Sequence, residues 1–267
     1  MEAQLLTEWN WNLSIWIGMT LFVGGYLLAV GPLRYRFKDA QPVTPAQMSL
    51  FLAGALVIWL ALASPIDAAG DEYLFSAHMF QHILLTVVAP PLLLLGIPAW
   101  LVRPLLKNQK FTRLGRILTA PVIAYFLFNL TFLAWHIPAF YEATLQNENI
   151  HVIEHLSFMV TAVITWWPVL SPSPELPRIA PSSQILYLFL QGVPATVLSA
   201  LIIFTPTPIY PTYAEAPRLF GLTAYLDQQL AGLVMGMVDG MIYLGVLTAI
   251  FFNWQSQEEK AGQKQAA

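Results

Sequence analysis

Polar residues are scarce along this chain and come in bunches. Between the bunches run apolar stretches of about twenty residues, the length that carries a helix across the hydrocarbon core of a bilayer. Seven such spans are predicted, at 11–33, 48–66, 75–101, 117–136, 151–170, 183–205 and 227–252. Helix is the expected form, because a backbone facing lipid must satisfy its own N–H and C=O groups. Pro90, Pro91 and Pro194 fall inside spans, where packed neighbours take up the freed carbonyls. The first apolar stretch has no basic flank ahead of it and no small-residue cleavage pattern, so it reads as a retained span and not a removed signal peptide. The connections are short, and no internal repeat stands out. The expected fold class is all-α: a single polytopic domain of seven transmembrane helices over 1–253, then a polar tail at 254–267.

Composition agrees with the pattern. The 267 residues are 57% hydrophobic and 10% charged, with a mean hydropathy of +0.61. Soluble domains carry about 25% charged residues, so that class is excluded. There is no cysteine, which rules out disulfides and thiolate metal sites and leaves His, Met and carboxylates as metal ligands.

Charge placement sets the orientation. Arg34, Arg36 and Lys38 follow span one, and Arg103, Lys107, Lys110, Arg113 and Arg116 follow span three. Arg178 follows span five, and Lys260 and Lys264 lie in the tail. These eleven of the twelve Lys and Arg fall on one side, with Arg218 on the other. The positive-inside rule then puts the N-terminus outside and the C-terminus in the cytoplasm. The same rule, with anionic lipid heads, accounts for the basic loop 103–116 without a nucleic-acid partner.

With the sides set, all five histidines fall at the outer ends of spans. HMFQH places His78 and His82 one turn apart on one helix face, and HVIEH does the same for His151 and His155. Such i, i+4 imidazole pairs are a common helical way to chelate a transition metal. His136 closes span four at the same level, and Met79 adds a thioether, a donor that favours Cu(I). The predicted metal ligands are therefore His78, His82, His136, His151, His155 and Met79. Gln81, Glu154 and Asp227 are candidates for supporting them from behind, and Asp227 reads first as a helix N-cap. Met235, Met237 and Met241 add sulfur in span seven. Asp239 lies near the middle of that span, where an ionisable group is costly and faces the bundle interior, with Gln81, Asn129 or Gln191 as possible partners. HVIEH is not HExxH, and no phosphate loop, nucleophile elbow or dinucleotide fingerprint is present, so no catalytic residue is assigned.

Three stretches in order, HMFQHILLTVVAPPLLLLGIP, WHIPAFYEATLQNENIHVIEHLSFMVTAVITWWPVL and YPTYAEAPRLFGLTAYLDQQLAGLVM, resemble the CtaG-type cytochrome c oxidase assembly factors, bacterial seven-span membrane proteins. The resemblance runs over about residues 50 to 250. It covers His78, Met79, Gln81 and His82, then Trp135, His136 and Pro138, then His151, Glu154 and His155, and lastly Asp227, Gln228 and Gln229. GMVDGM at 236–241 matches no pattern of the family. The resemblance implies a non-enzymatic assembly factor in the bacterial inner (plasma) membrane, with copper as cofactor and its site facing the periplasm or exterior. The implied partners are a haem–copper oxidase subunit in the same membrane, a periplasmic copper donor and the lipid bilayer. The residues alone leave three other readings open: a zinc-dependent lipid hydrolase, a haem-binding membrane electron carrier, and a metal-free scaffold.

Overall fold

A computed structural model describes residues 2–5 and 7–266, and every regular element in them is helical. The long helices are α1 (Leu13–Val30), α2 (Pro45–Ala63), α3 (Phe75–Gly96), α4 (Pro121–Trp135), α5 (Glu148–Leu170), α6 (Pro181–Phe204) and α7 (Ala224–Gln263). All but α4 are long and apolar enough to cross a membrane alone. The helical path of α7 continues through the polar segment expected from residue 254 as far as Ala266, and Ala267 lies outside the described residues.

The fourth predicted span, 117–136, is built differently. At 15 residues, α4 is about 22 Å long against a hydrocarbon core of about 30 Å. It follows the helix Gln109–Leu118 at a bend of 67°, and the two together make the seventh candidate crossing. The bend has a local cause. The Thr119 hydroxyl turns back onto the Gly115 carbonyl at 2.7 Å, and Pro121, with no N–H to give, opens a new helix.

Local chemistry also sets the other helix starts. Thr44 and Gln47 form a reciprocal capping box at the head of α2, with Pro45 in its first turn. In α3 the Pro90 ring leaves the Thr86 carbonyl without its usual partner four residues on. The chain answers with a π-helical turn at Leu84–Val88, and the Trp166 indole donates to the Thr86 carbonyl at 3.0 Å. A second π turn, Val234–Val238, interrupts α7.

The third helix is the hub, with 67% of its apolar window buried against 11% for α1. One face meets Tyr26, Phe51 and Ile58 of α1 and α2, and another meets Trp166, Leu188 and Tyr243 of α5, α6 and α7. Opposite the core, α6 exposes Leu186, Phe189, Val193, Val197, Leu201 and Phe204 at helical spacing. A stripe of that size suits lipid contact. The polar residues sort to the two ends of the bundle. Arg34–Lys38, Arg103–Arg116 and Arg178 gather at one end, where the Arg103 guanidinium contacts Glu175 at 3.2 Å, and the five histidines lie at the other.

Candidate metal centre

At the histidine end, the short helix Pro65–Glu72 follows α2 directly, because Ser64 ends one helix and caps the next by accepting from the Ile66 N–H. It packs against the start of α3 so closely that a Cβ on Gly70 would lie 2.9 Å from the His78 Cα. Only glycine fits there. Asp227, in the first turn of α7, accepts the Phe75 N–H at 2.7 Å and the Ser76 N–H and hydroxyl at 3.2 and 2.5 Å. It caps a neighbouring helix, while Thr223 caps its own.

These contacts set the histidine face of α3 against that of α5. His78 Nε2 and His82 Nε2 are 2.9 Å apart, and His151 Nε2 and His155 Nε2 are 3.1 Å apart, so within each pair the two ring nitrogens point at each other. The pairs meet each other, with ring centroids 5.4 Å apart for His78 and His151 and 5.3 Å for His82 and His155. Glu154 is fully buried between them, 4.0 Å from His82 Nε2 and 4.0 Å from His151 Nε2. On the far side of the rings, Asp71 reaches both Nδ1 atoms, at 3.8 Å from His78 and 3.4 Å from His151. One ligand atom each from His78, His151, Glu154 and His155 falls within a 4.8 Å group.

The donors fit a metal cation. A four-coordinate ion with bonds of about 2.0 Å holds its ligand atoms about 3.3 Å apart, so small side-chain rotations close the group. Both Glu154 oxygens and the Nδ1 atoms of His78 and His82 are buried with no hydrogen-bond partner, and a buried carboxylate needs a positive partner. Asp71 keeps 31% of its side chain exposed, yet its Oδ1 is buried and unpartnered. Burial, then the carboxylates of Asp67, Glu154 and Glu72, push its pKa up to about 8. The site favours added positive charge. A carboxylate behind a ligating imidazole is the usual way to fix ring orientation, and Asp71 stands in that position for two rings.

Other predicted residues are placed elsewhere. The His136 ring lies 6.5 Å from that of His82, and its Nδ1 donates to the Phe132 carbonyl at 2.7 Å. Met79 packs with Phe75, Tyr141, Ile202 and Met235. Gln81 turns away, donating to the Ala61 carbonyl at 2.9 Å and to Asp67 Oδ1 at 2.7 Å. Met237 and Met241 are exposed on the surface of α7.

The sequence reading missed Asp71 and a tyrosine roof. The Tyr141 hydroxyl lies 3.2 Å from that of Tyr213, which donates to the Gly70 carbonyl at 2.7 Å. Tyr210 stacks on Tyr141 at 4.0 Å and donates to the His136 carbonyl at 2.9 Å. Burial holds all three phenols above their usual pKa, so they serve as neutral donors and packing. The available signals were IDAAGDEY just ahead of SAHMFQH and the YPTY segment, but spacing gave no reason to bring either to the histidines.

Fold and site together define a polytopic helical membrane protein with a histidine–carboxylate cluster at one end of its bundle. The chain belongs to the cytochrome c oxidase caa3 assembly factor (CtaG) family, whose model matches residues 24–257. It is 22% identical over 281 residues to uncharacterized proteins of Mycobacterium bovis and Mycobacterium tuberculosis, covering 98% of this chain and 42% of each relative. An uncharacterized protein of Mycobacterium leprae is 21% identical over 276 residues, 96% of this chain and 41% of the relative. The chain thus spans less than half the length of these relatives. No solved structure matches it significantly.

Proposed function

We propose that the chain holds copper through His78, His82, His151 and His155, with Glu154 among them and Asp71 behind. It passes the ion to a haem–copper oxidase subunit during assembly. The observation that carries this reading is the meeting of two i, i+4 histidine pairs from different helices around a buried carboxylate, in a chain of an oxidase assembly family. Membership of that family implies a non-catalytic role. The imidazole donors suit copper, and with no thiolate in the chain the site stays usable in an oxidising compartment. The cluster would face the periplasm or exterior of a bacterial inner membrane, since nearly all Lys and Arg gather at the opposite end.

The test is metal analysis of the purified protein loaded with copper, beside the double variant His78→Ala/His82→Ala. Loss of bound copper in the variant is expected, with a lower copper content of the oxidase in cells carrying it. Unchanged stoichiometry and affinity would sink the assignment. Three histidines and a glutamate also suit zinc with an open position. Zinc found in protein isolated without added metal, together with lipid hydrolysis abolished in the same variant, would establish that second reading instead.

A further inference from the structure

The two π turns contribute to one further feature, beside the cluster. A narrow cavity of about 30 Å³ lies deeper in the bundle, lined in part by Thr86 of the first π turn and Met235 of the second. His82 lines it as well, so the cavity adjoins the histidine cluster. Its other polar lining comes from His136, Asn129, Gln191, Asp239 and Tyr243. By size it admits one or two water-sized species.

We infer that this cavity is a second cation site, inside the membrane, for one soft monovalent ion such as Cu(I). Met79, Met235 and His136 are its donors and Asp239 its charge partner. His136 is 5% exposed. Its Nδ1 donates to the Phe132 carbonyl, so its Nε2 carries the lone pair, and that atom is buried without a partner. Gln191 is 2% exposed, and neither its amide oxygen nor its nitrogen has a partner. Unpaired buried polar groups are rare and costly, and two side chains on one small cavity point to a ligand there. The class of ligand follows from the rest of the lining. Met79 and Met235 both line the cavity and are buried in the same packed group, and thioether donors favour Cu(I) over harder ions. Asp239 is a buried carboxylate within a span, and no Lys or Arg is among the residues lining the cavity. A single positive charge neutralises it, whereas a divalent ion leaves net charge in a medium that penalises it heavily. The π turns are the local distortions that functional sites in helices commonly use. The inference rests on the copper reading for the identity of the ion, but not on the outer ligands.

The experiment loads the full chain in lipid nanodiscs with Cu(I) under anaerobic conditions, then combines metal analysis with X-ray absorption. A sulfur shell around part of the copper is expected in the unmodified protein. The variant Met79→Leu/Met235→Leu, close to the original in volume, is expected to lose that shell and one ion per chain. Asp239→Asn is expected to weaken the same ion by about 10–100-fold. The variant His151→Ala/His155→Ala is expected to keep the sulfur shell while losing the other ion. A full ion count in that last variant overturns the outer assignment alone. Absence of sulfur around copper in the unmodified protein overturns the second site whatever the variants do, and so does an unchanged ion count in the methionine variant.

Discussion

The carboxylate of Asp227 takes up two N–H groups and a hydroxyl at the start of α3 without touching an imidazole. It bears on the site through backbone position. Asp227→Ala leaves those donors without their acceptor, at about 1–3 kcal/mol for each one that stays buried and unsatisfied. The expected result is a lower Tm and weaker copper affinity with unchanged stoichiometry; loss of a whole ion would instead make Asp227 a ligand. Gly70 has the opposite kind of role, since it matters by being small. Gly70→Ala sets a methyl against the His78 backbone, where overpacking costs about 1–3 kcal/mol. Thermal unfolding is expected to show that loss, together with reduced metal affinity, because the Pro65–Glu72 helix carries Asp71.

At the scale of elements, the break in α3 is held by a bond from another helix. Trp166→Phe removes the indole N–H, leaving the Thr86 carbonyl buried and unpaired, and opens a void where the five-membered ring packed. A cost of about 1–3 kcal/mol in stability is expected from that penalty, with the copper count of the outer cluster unchanged. The Pro90–Pro91 pair marked freed carbonyls in the sequence, and neither the π turn nor the identity of the compensating donor followed from it. Span four shows the converse limit. A hydropathy window sees 117–136 as one apolar run, because a bend of 67° leaves composition untouched.

Across the whole molecule, the basic and histidine ends are opposite, so the orientation is open to a direct test. The chain has no cysteine, and single cysteines can be placed at exposed Glu215, beside the histidine end, and at exposed Lys107, at the basic end. A membrane-impermeant maleimide is expected to label Glu215→Cys in intact cells and Lys107→Cys only after lysis. The reverse pattern would put the histidine cluster in the cytoplasm and remove the proposed delivery route.

Most of the architecture follows from the sequence alone: long apolar runs demand helices in lipid, and i, i+4 spacing places each histidine pair on one face. These are local properties of period and composition. Only the tertiary structure decided which residues share a site. It set the pairs of α3 and α5 around Glu154, added Asp71 from a separate short helix, and turned Gln81 towards Asp67. It also put His136 and Met79 on a deeper cavity with Asp239. Spacing along one helix gives the angle of a side chain about that helix. The neighbour it meets depends on how the helices pack, and that is settled by contacts between residues far apart in the chain.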